Sequence, residues 1–278
     1  MSRRNKGPAA ATASPEQVQI EGTKMLDKEK QRFAPLKNVT ALWTLVNRLQ
    51  QRNDDLPGFG VFHGPPGFGK TKAAIYVHNK CQAPILTIGE SWTRKKFLEK
   101  LLGELGVGKI KGTVADLTEQ AIWRLGEHID RPLLIDEADK AIDKGWIELI
   151  RDLQDNSNTP IILIGEEELV SKLKPTPRVH DRVLDWVPAQ PCDLDDTRKL
   201  ATAYAPQLQI EDDLLEMVRI ESGGVARRIS TTVSHIREFA QTAGLTKLTR
   251  ANYAGRIHTG RAPSARSDED IRRLVRAA

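Results

Sequence analysis

The chain of 278 residues holds only two cysteines, Cys81 and Cys192, far apart and with no C-x-x-C spacing. That excludes a disulfide framework or a cysteine-based zinc site and points to a reducing compartment. No apolar run approaches the roughly 18 residues that a membrane span requires, and no segment has the apolar core of a secretory leader. The sequence therefore predicts no membrane contact. Aromatic residues make up 5% of the chain, and no RNA-binding aromatic signature, C₂H₂ finger or clear helix-turn-helix is present. Hydrophobic residues at 39% and charged residues at 28% suit a globular chain with a sizeable core.

Charge is unevenly spread. Residues 1–40 carry 8 basic and 4 acidic side chains, residues 41–225 carry 23 and 29, and residues 226–278 carry 11 and 4. An acidic body with basic ends suits a polyanionic partner, although solvated termini account for the same pattern. The first 17 residues are rich in Ala, Ser and Pro and are expected to be disordered. Asn38 is expected to cap a helix that runs to about Arg52, with Leu42, Leu45, Val46 and Leu49 at helical spacing.

From Phe59 onward short apolar runs alternate with longer amphipathic ones. Strands are predicted at Gly60–His63, Pro84–Ile88, Leu133–Asp136, Ile161–Ile164 and Leu184–Val187. Helices are predicted near Lys70–Lys80, Thr93–Leu105, Leu117–Ile129, Trp146–Asp155 and Glu167–Lys174. This alternation implies right-handed crossovers and a mostly parallel sheet with helices on both faces. After Pro191 no strand is expected; helices near Asp195–Tyr204, Asp212–Glu221, Val225–Thr242 and Thr249–Ile257 predict a small all-helical second domain. Ile271, Leu274 and Val275 are spaced to close one more short helix. The predicted organisation is a basic arm over 1–35, an α/β nucleotide-binding domain over 36–190, a helical lid over 191–258 and a basic tail over 259–278.

The segment Gly64-Pro65-Pro66-Gly67-Phe68-Gly69-Lys70-Thr71 fills every fixed position of G-x-x-x-x-G-K-[ST]. It follows a predicted strand and opens a predicted helix, the context this phosphate-binding loop requires. Gly67 and Gly69 let backbone N–H groups turn around phosphate oxygens, and the helix N-terminus adds its positive end. Lys70 is placed to reach the β/γ-phosphates of ATP and the Thr71 hydroxyl to ligate Mg²⁺. Leu133-Leu-Ile-Asp136-Glu137 supplies a buried strand with two carboxylates at its C-terminal end. Asp136 is expected to hold Mg²⁺ through water, and Glu137 to orient and polarise the attacking water.

On these motifs, with the further strand Ile161-Ile-Leu-Ile164 and a helical lid, the chain resembles an AAA+ P-loop ATPase over roughly residues 36–250. The α/β three-layer fold and small all-helical lid are what that resemblance implies. Pro132–Asp139, Thr159–Leu169 and Glu221–Ile229 look closest to the transposition-targeting group, which includes phage Mu transposition protein B and the TnsC and IstB types. The resemblance implies a polar sensor after the fourth strand, here Glu166, a departure from the usual Asn or Gln; capping of the next helix is the plainer role. It implies an arginine finger acting on a neighbouring subunit, for which Arg178 and Arg182 both qualify. It also implies a lid arginine after a glycine pair, Arg227, with Arg228 beside it.

Thr93-Arg94-Lys95-Lys96 places three cations at a helix N-terminus, where the dipole disfavours them, and bound phosphate offsets that cost. These residues are candidate DNA contacts, as are Lys109 and Lys111 in the loop Gly106–Gly112. Trp92 beside the first cluster serves either as core or as a base-stacking surface, the core role being favoured. The Arg-rich C-terminus and the N-terminal Arg3, Arg4 and Lys6 suit phosphate or an acidic protein surface.

The resulting expectation is an oligomerising ATPase, ring or filament, that binds duplex DNA without sequence preference and recruits a transposase, in the cytoplasm of a bacterium or phage-infected cell. A helicase-loader or replication-initiator ATPase of the DnaC or Cdc6 type, and an ExeA-type regulatory or secretion ATPase that does not bind DNA, are the alternatives.

Overall fold

The computed structural model describes residues 35–53 and 55–261. The basic arm, the end of the tail and the short helix expected around Ile271 lie outside these residues. The described residues begin with α1 (Lys37–Gln50) and then alternate: β1 (Phe59–His63), α2 (Lys70–Cys81), β2 (Ile85–Thr87), α3 (Arg94–Glu104), α4 (Val114–Gly126), β3 (Leu133–Asp136). Two helices follow, α5 (Asp139–Asp143) and α6 (Ile147–Ser157), then β4 (Ile161–Gly165), α7 (Leu169–Leu173), α8 (Pro177–His180) and β5 (Val183–Pro188). All five predicted strands form, each within about one residue of its expected bounds.

The sheet has the order β2-β3-β4-β1-β5, and every neighbouring pair is parallel. Residues at alternate positions of a strand face opposite sides. Phe59, Val61, Leu133, Ile135, Ile161 and Leu163 turn to one face and join a core with Phe97, Leu98, Leu101, Leu117, Ala121, Ile150 and Leu153 of α3, α4 and α6. On the opposite face Gly60 turns toward Leu45 and Leu49 of α1, and α1 packs on α2. Phe97 and Trp146 meet edge to face with centroids 5.4 Å apart, worth about 0.5–1.5 kcal/mol beyond the area they bury. Trp92 is half-buried against this same core, in the core role favoured for it.

The first turn of α1 differs from expectation. Its N-cap is Leu36, which makes no side-chain cap, and Asn38 lies inside the helix. The orphan N–H of Lys37 is taken instead by Asp196 Oδ1 at 3.0 Å, from a helix 159 residues later. Asn38, 3% exposed, is thereby released for long-range use. Its Nδ2 donates to Phe68 O at 2.9 Å and Gln190 O at 2.8 Å, and its Oδ1 accepts from Gln190 N at 2.8 Å.

Past β5 the chain forms α9 (Leu194–Tyr204), β6 (Gln209–Ile210), α10 (Asp212–Glu221), α11 (Ala226–Ala243) and β7 (Lys247–Leu248). The three helices pack on one another. Two of the expectations for this segment are corrected. First, β6 and β7 pair in parallel, so the segment is not purely helical; two-residue strands carry too little periodicity to be read from sequence. Second, Thr249–Ile257 is not a helix. Asn252 Oδ1 accepts from Thr249 N at 2.7 Å, closing a local turn that competes with helix formation. Tyr253 is then buried edge to face against Phe239, 5.2 Å away.

Both cysteines are free thiols; burial pushes Cys192 up to about 12 and raises Cys81 as well. No helix among the described residues is long and apolar enough to cross a membrane.

Asn38→Ala should lower the unfolding free energy by about 2–3 kcal/mol, because Phe68 O, Gln190 O and Gln190 N lose their partner. Urea denaturation monitored by circular dichroism measures this, and a loss below about 0.5 kcal/mol would show that water replaces the amide.

Candidate nucleotide site

Because the strands are parallel, His63, Thr87, Asp136, Gly165 and Pro188 all end on one edge of the sheet. The loop Gly64–Thr71 leaves from β1, between β4 and β5. Gly64, Gly67 and Gly69 have φ of 153°, 85° and 87°. The last two lie in the left-handed region, which costs a side-chain-bearing residue roughly 1–2 kcal/mol. These angles turn the loop into a cradle that ends at the N-terminus of α2, whose free N–H groups and dipole favour an anion. Lys70 Nζ folds back onto the carbonyl oxygens of Gly64 and Pro65, the latter at 3.0 Å. Burial pulls the Lys70 pKa below the usual lysine value, opposed by the carboxylates of Glu166, Asp136, Asp139 and Glu137. Pro66 and Phe68 complete the loop, Phe68 being held through its carbonyl by Asn38.

Thr71 Oγ1 donates to Asp136 Oδ2 at 2.7 Å. Asp136 is 3% exposed, and desolvation pushes its carboxyl above the usual range, against the hydrogen bonds from Thr71 and from Glu137 N. A hydroxyl and a buried carboxylate 2.7 Å apart are hard oxygen donors of the kind Mg²⁺ takes. No group of three or more His, Cys, Asp or Glu side chains could hold a metal among the described residues.

Glu137 follows β3 in the left-handed region at φ 57°, uncommon for a residue with a side chain. Its N–H donates to Asp136 Oδ1 at 3.0 Å. Its carboxylate is half-exposed and lies 3.4 Å from Lys140 Nζ, which in turn donates to Ile88 O at 3.3 Å. Backbone in this region persists at a residue with a side chain only where the surrounding fold over-determines it.

Glu166 follows β4, is exposed, and is the foremost of the carboxylates acting on Lys70. It caps no helix by its side chain, since α7 begins at Leu169 with Glu168 as its uncapped N-cap residue. Its own N–H donates to Asp139 Oδ2 at 2.9 Å.

The arginines separate by their bonds. Arg182 is held by Asp155 Oδ1 at 2.6 Å and Arg178 O at 2.7 Å. Arg178, on α8, is exposed, and its guanidinium bonds to none of the described residues. Arg228 reaches Ser222 O at 3.4 Å and packs beneath Gly260. Arg227 is exposed, and its N–H donates to Gly67 O at 3.1 Å, which sets it on the phosphate loop.

Thr93 spends its side chain as the N-cap of α3, accepting from Lys96 N at 3.2 Å. Arg94 donates to Gly145 O at 2.9 Å, and Lys144 binds Glu90, so the loop after β2 is fastened to the end of α5. Lys96 pairs with Glu99 at 3.8 Å, while Lys95 is exposed without a partner among the described residues. Lys109 and Lys111 are exposed in the loop that follows α3, a helix about 16 Å long whose first residue is Arg94.

Sequence reasoning missed the roles of Asn38 and Asp139. Asn38 continues the stripe Leu42, Leu45 and Leu49, so a polar residue on a buried helix face was the available signal. Asp139 stands in the stretch Pro132–Asp139, but no spacing rule assigns it a partner.

A five-stranded parallel sheet in this order, with the phosphate loop after β1, between β4 and β5, and paired carboxylates at the end of β3, is an AAA+ P-loop NTPase fold. Residues 52–173 match the family model described as an AAA domain. Solved structures share the fold at low identity. ORC2 of Aeropyrum pernix aligns with a TM-score of 0.57 and 15% identity over 77% of this chain and 65% of that one. Cdc6p of Pyrobaculum aerophilum aligns at 0.54 and 18% over 76% and 63%. The RuvB Holliday junction branch migration motor of Thermotoga maritima aligns at 0.52 and 18% over 81% and 66%. Replication factor C subunit 1 of Saccharomyces cerevisiae is 30% identical over 159 residues, 52% of this chain. The chain spans only 17% of that relative's length and just under two thirds of the structures'.

Gly67→Ala should abolish nucleotide binding while leaving the sheet folded. The added Cβ meets left-handed strain and lies 2.8 Å from Val225 Cγ1, the residue that precedes α11. Titration with a fluorescent ATP analogue, beside a thermal melt, tests this; wild-type affinity in a folded variant would refute the cradle geometry.

Proposed function

We propose that this protein is an oligomerising ATPase that acts on DNA, of the replication-initiator or helicase-loader kind. The observation that carries the hydrolytic part is the joint placement of Lys70, Thr71, Asp136 and Glu137 on one sheet edge, with Thr71 bonded to Asp136. The names of the similar proteins, replication factor C subunit 1 and the ORC and Cdc6 proteins, support the replication-initiator alternative over transposase recruitment. The transposition-targeting reading draws no support from them.

Lys70 releases the Gly64 and Pro65 carbonyls and turns its charge to the β/γ-phosphates of ATP. Thr71 and Asp136 hold Mg²⁺, which when bound neutralises charge on the phosphate oxygens. Glu137, freed from Lys140, orients the attacking water. Glu166 modulates the field at Lys70, and Arg227 reports nucleotide to the helical lid that we place over residues 191–258.

We assign the arginine finger to Arg178, because Arg182 is already committed to Asp155. An arginine supplied by a neighbouring subunit completes the site only in the assembly, which makes hydrolysis depend on oligomerisation. Arg178→Ala should lose hydrolysis but keep ATP binding. Mixed with Lys70→Ala, which keeps Arg178 but binds no nucleotide, it should regain part of the wild-type rate. No recovery at any ratio of the two folded variants would place Arg178 outside a shared site.

DNA binding is assigned to Arg94, Lys95 and Lys96, with Lys109 and Lys111 as a separate contact. Phosphate contacts are insensitive to sequence, and each lowers the slope of log K against log salt by about 0.9 for duplex DNA. Replacing Arg94, Lys95 and Lys96 by Ala should reduce that slope equally on two unrelated duplexes in the presence of a non-hydrolysable ATP analogue. An unaltered slope removes this cluster from the DNA path.

A further inference from the structure

We propose that Asp139 is a positioning residue for ATP hydrolysis, holding Glu166 at the phosphate site through the hydrogen bond from Glu166 N to Asp139 Oδ2. The proposal rests on the ATPase reading above.

Asp139 is 7% exposed, and its Oδ1 has no hydrogen-bond partner. Burying a carboxylate with one oxygen unmatched is costly, and a stability role alone would be served better by an apolar side chain. The carboxylate is not the N-cap of its own helix, because α5 has Ala138 in that place and no side-chain cap. Its hydrogen bond goes across the sheet edge instead, to the loop after β4.

That loop needs a partner. The pairing of β4 with β1 ends at His63 and Gly165, so Glu166 N–H is the first donor beyond the ladder. Without a partner for that donor the loop lacks a fixed anchor at the end of the ladder. Ala138 N donates to Ile164 O at 2.9 Å, which brings the turn after β3 against the end of β4. Gly165 then leaves room for the carboxylate: a Cβ added there would overlap Asp139 Oδ2 and Leu169 Cδ2. Three consecutive features, the β3 turn, the bare Gly165 and the buried acid, converge on one backbone N–H.

The consequence is positional. Glu166 leaves β4 on the sheet edge from which the Lys70 loop leaves β1, and the hydrogen bond to Asp139 fixes its backbone there. The turn after β3 also carries Glu137, two residues before Asp139. Asp139 therefore ties the turn that carries the water-orienting residue to the residue that follows β4 beside the phosphate-binding loop.

The test is a double-mutant cycle on the full chain, with steady-state ATP hydrolysis measured with and without duplex DNA, and ATP affinity measured with a fluorescent analogue. Asp139→Ala should lower kcat about tenfold, corresponding to a lost hydrogen bond to a charged group, while affinity changes less than about twofold. Asp139→Asn keeps an acceptor oxygen and should recover most of that rate. On a Glu166→Ala background, Asp139→Ala should lower kcat by less than about twofold, since the residue it positions is gone. A merely structural role predicts the same loss on both backgrounds, and that additivity would overturn the proposal. Failure of Asp139→Asn to recover turnover, in a variant that melts like wild type, would do so as well. If Asp139→Ala does not fold, Asp139→Asn and Glu166→Ala decide the case: wild-type kcat in Glu166→Ala also overturns it. Glu137→Gln separates the underlying reading. Absence of hydrolysis by the unmodified chain refutes the ATPase reading itself, hydrolysis that persists in Glu137→Gln refutes the water-orienting role of Glu137, and hydrolysis lost in Glu137→Gln but indifferent to Asp139 refutes only this link.

Discussion

The parallel direction of all five strands is the constraint from which the site follows. In a parallel sheet every loop that follows a strand leaves from the same edge, so residues distant in sequence meet there without being near neighbours in the chain. The order β2-β3-β4-β1-β5 adds a second condition, because β4 lies between the strand that carries the phosphate loop and the strand that carries Asp136 and Glu137. The hydrogen bond from Thr71 to Asp136 therefore has to pass across the end of β4. That end is Gly165, whose missing side chain leaves room for the Asp139 carboxylate and for Leu169.

A second set of bonds fastens the helical region to the phosphate loop. Asn38 joins the first turn of α1 to Phe68 in the loop and to Gln190 at the exit of β5. Asp196 of α9 caps Lys37, and Arg227 at the start of α11 donates its N–H to Gly67 O. Three contacts from separate elements thus reach the same eight-residue loop or the helix that braces it. Near the opposite side of the site, Lys140 links Glu137 to Ile88, and Arg94 and Lys144 fasten the loop after β2 to α5. The candidate DNA-contacting helix α3 and the residue expected to orient water are therefore joined by a short chain of polar contacts.

The sheet and the phosphate loop were legible in the amino-acid sequence because both rest on local pattern. Runs such as Ile161-Ile-Leu-Ile164 mark buried strands, and the glycine spacing of Gly64–Thr71 is a backbone requirement that no other residue meets. The pairing of Leu133–Asp136 with two terminal carboxylates was legible for the same reason. Errors fell where local and distant partners compete for the same group. Asn38 reads as a helix cap by residue type, but Asp196 satisfies the orphan N–H and frees the amide for Phe68 and Gln190. Thr249–Ile257 has helical spacing, but the Asn252 side chain closes a turn on Thr249 N.

The sequence by itself therefore determined the fold class, the position of the phosphate loop and the two carboxylates after β3. Each depends on residue type and spacing within a few residues, which the chain carries wherever it goes. Only the tertiary structure shows which of Arg178 and Arg182, and which of Arg227 and Arg228, has its guanidinium held within the chain, and what Asp139 meets. In each case the deciding fact is which hydrogen-bond partner a long or buried side chain meets: Asp155 for Arg182, Ser222 for Arg228, Glu166 N–H for Asp139. Those partners lie 6 to 27 residues away and arrive through the packing of whole elements, a geometry that exists only once the sheet has brought its loops to one edge.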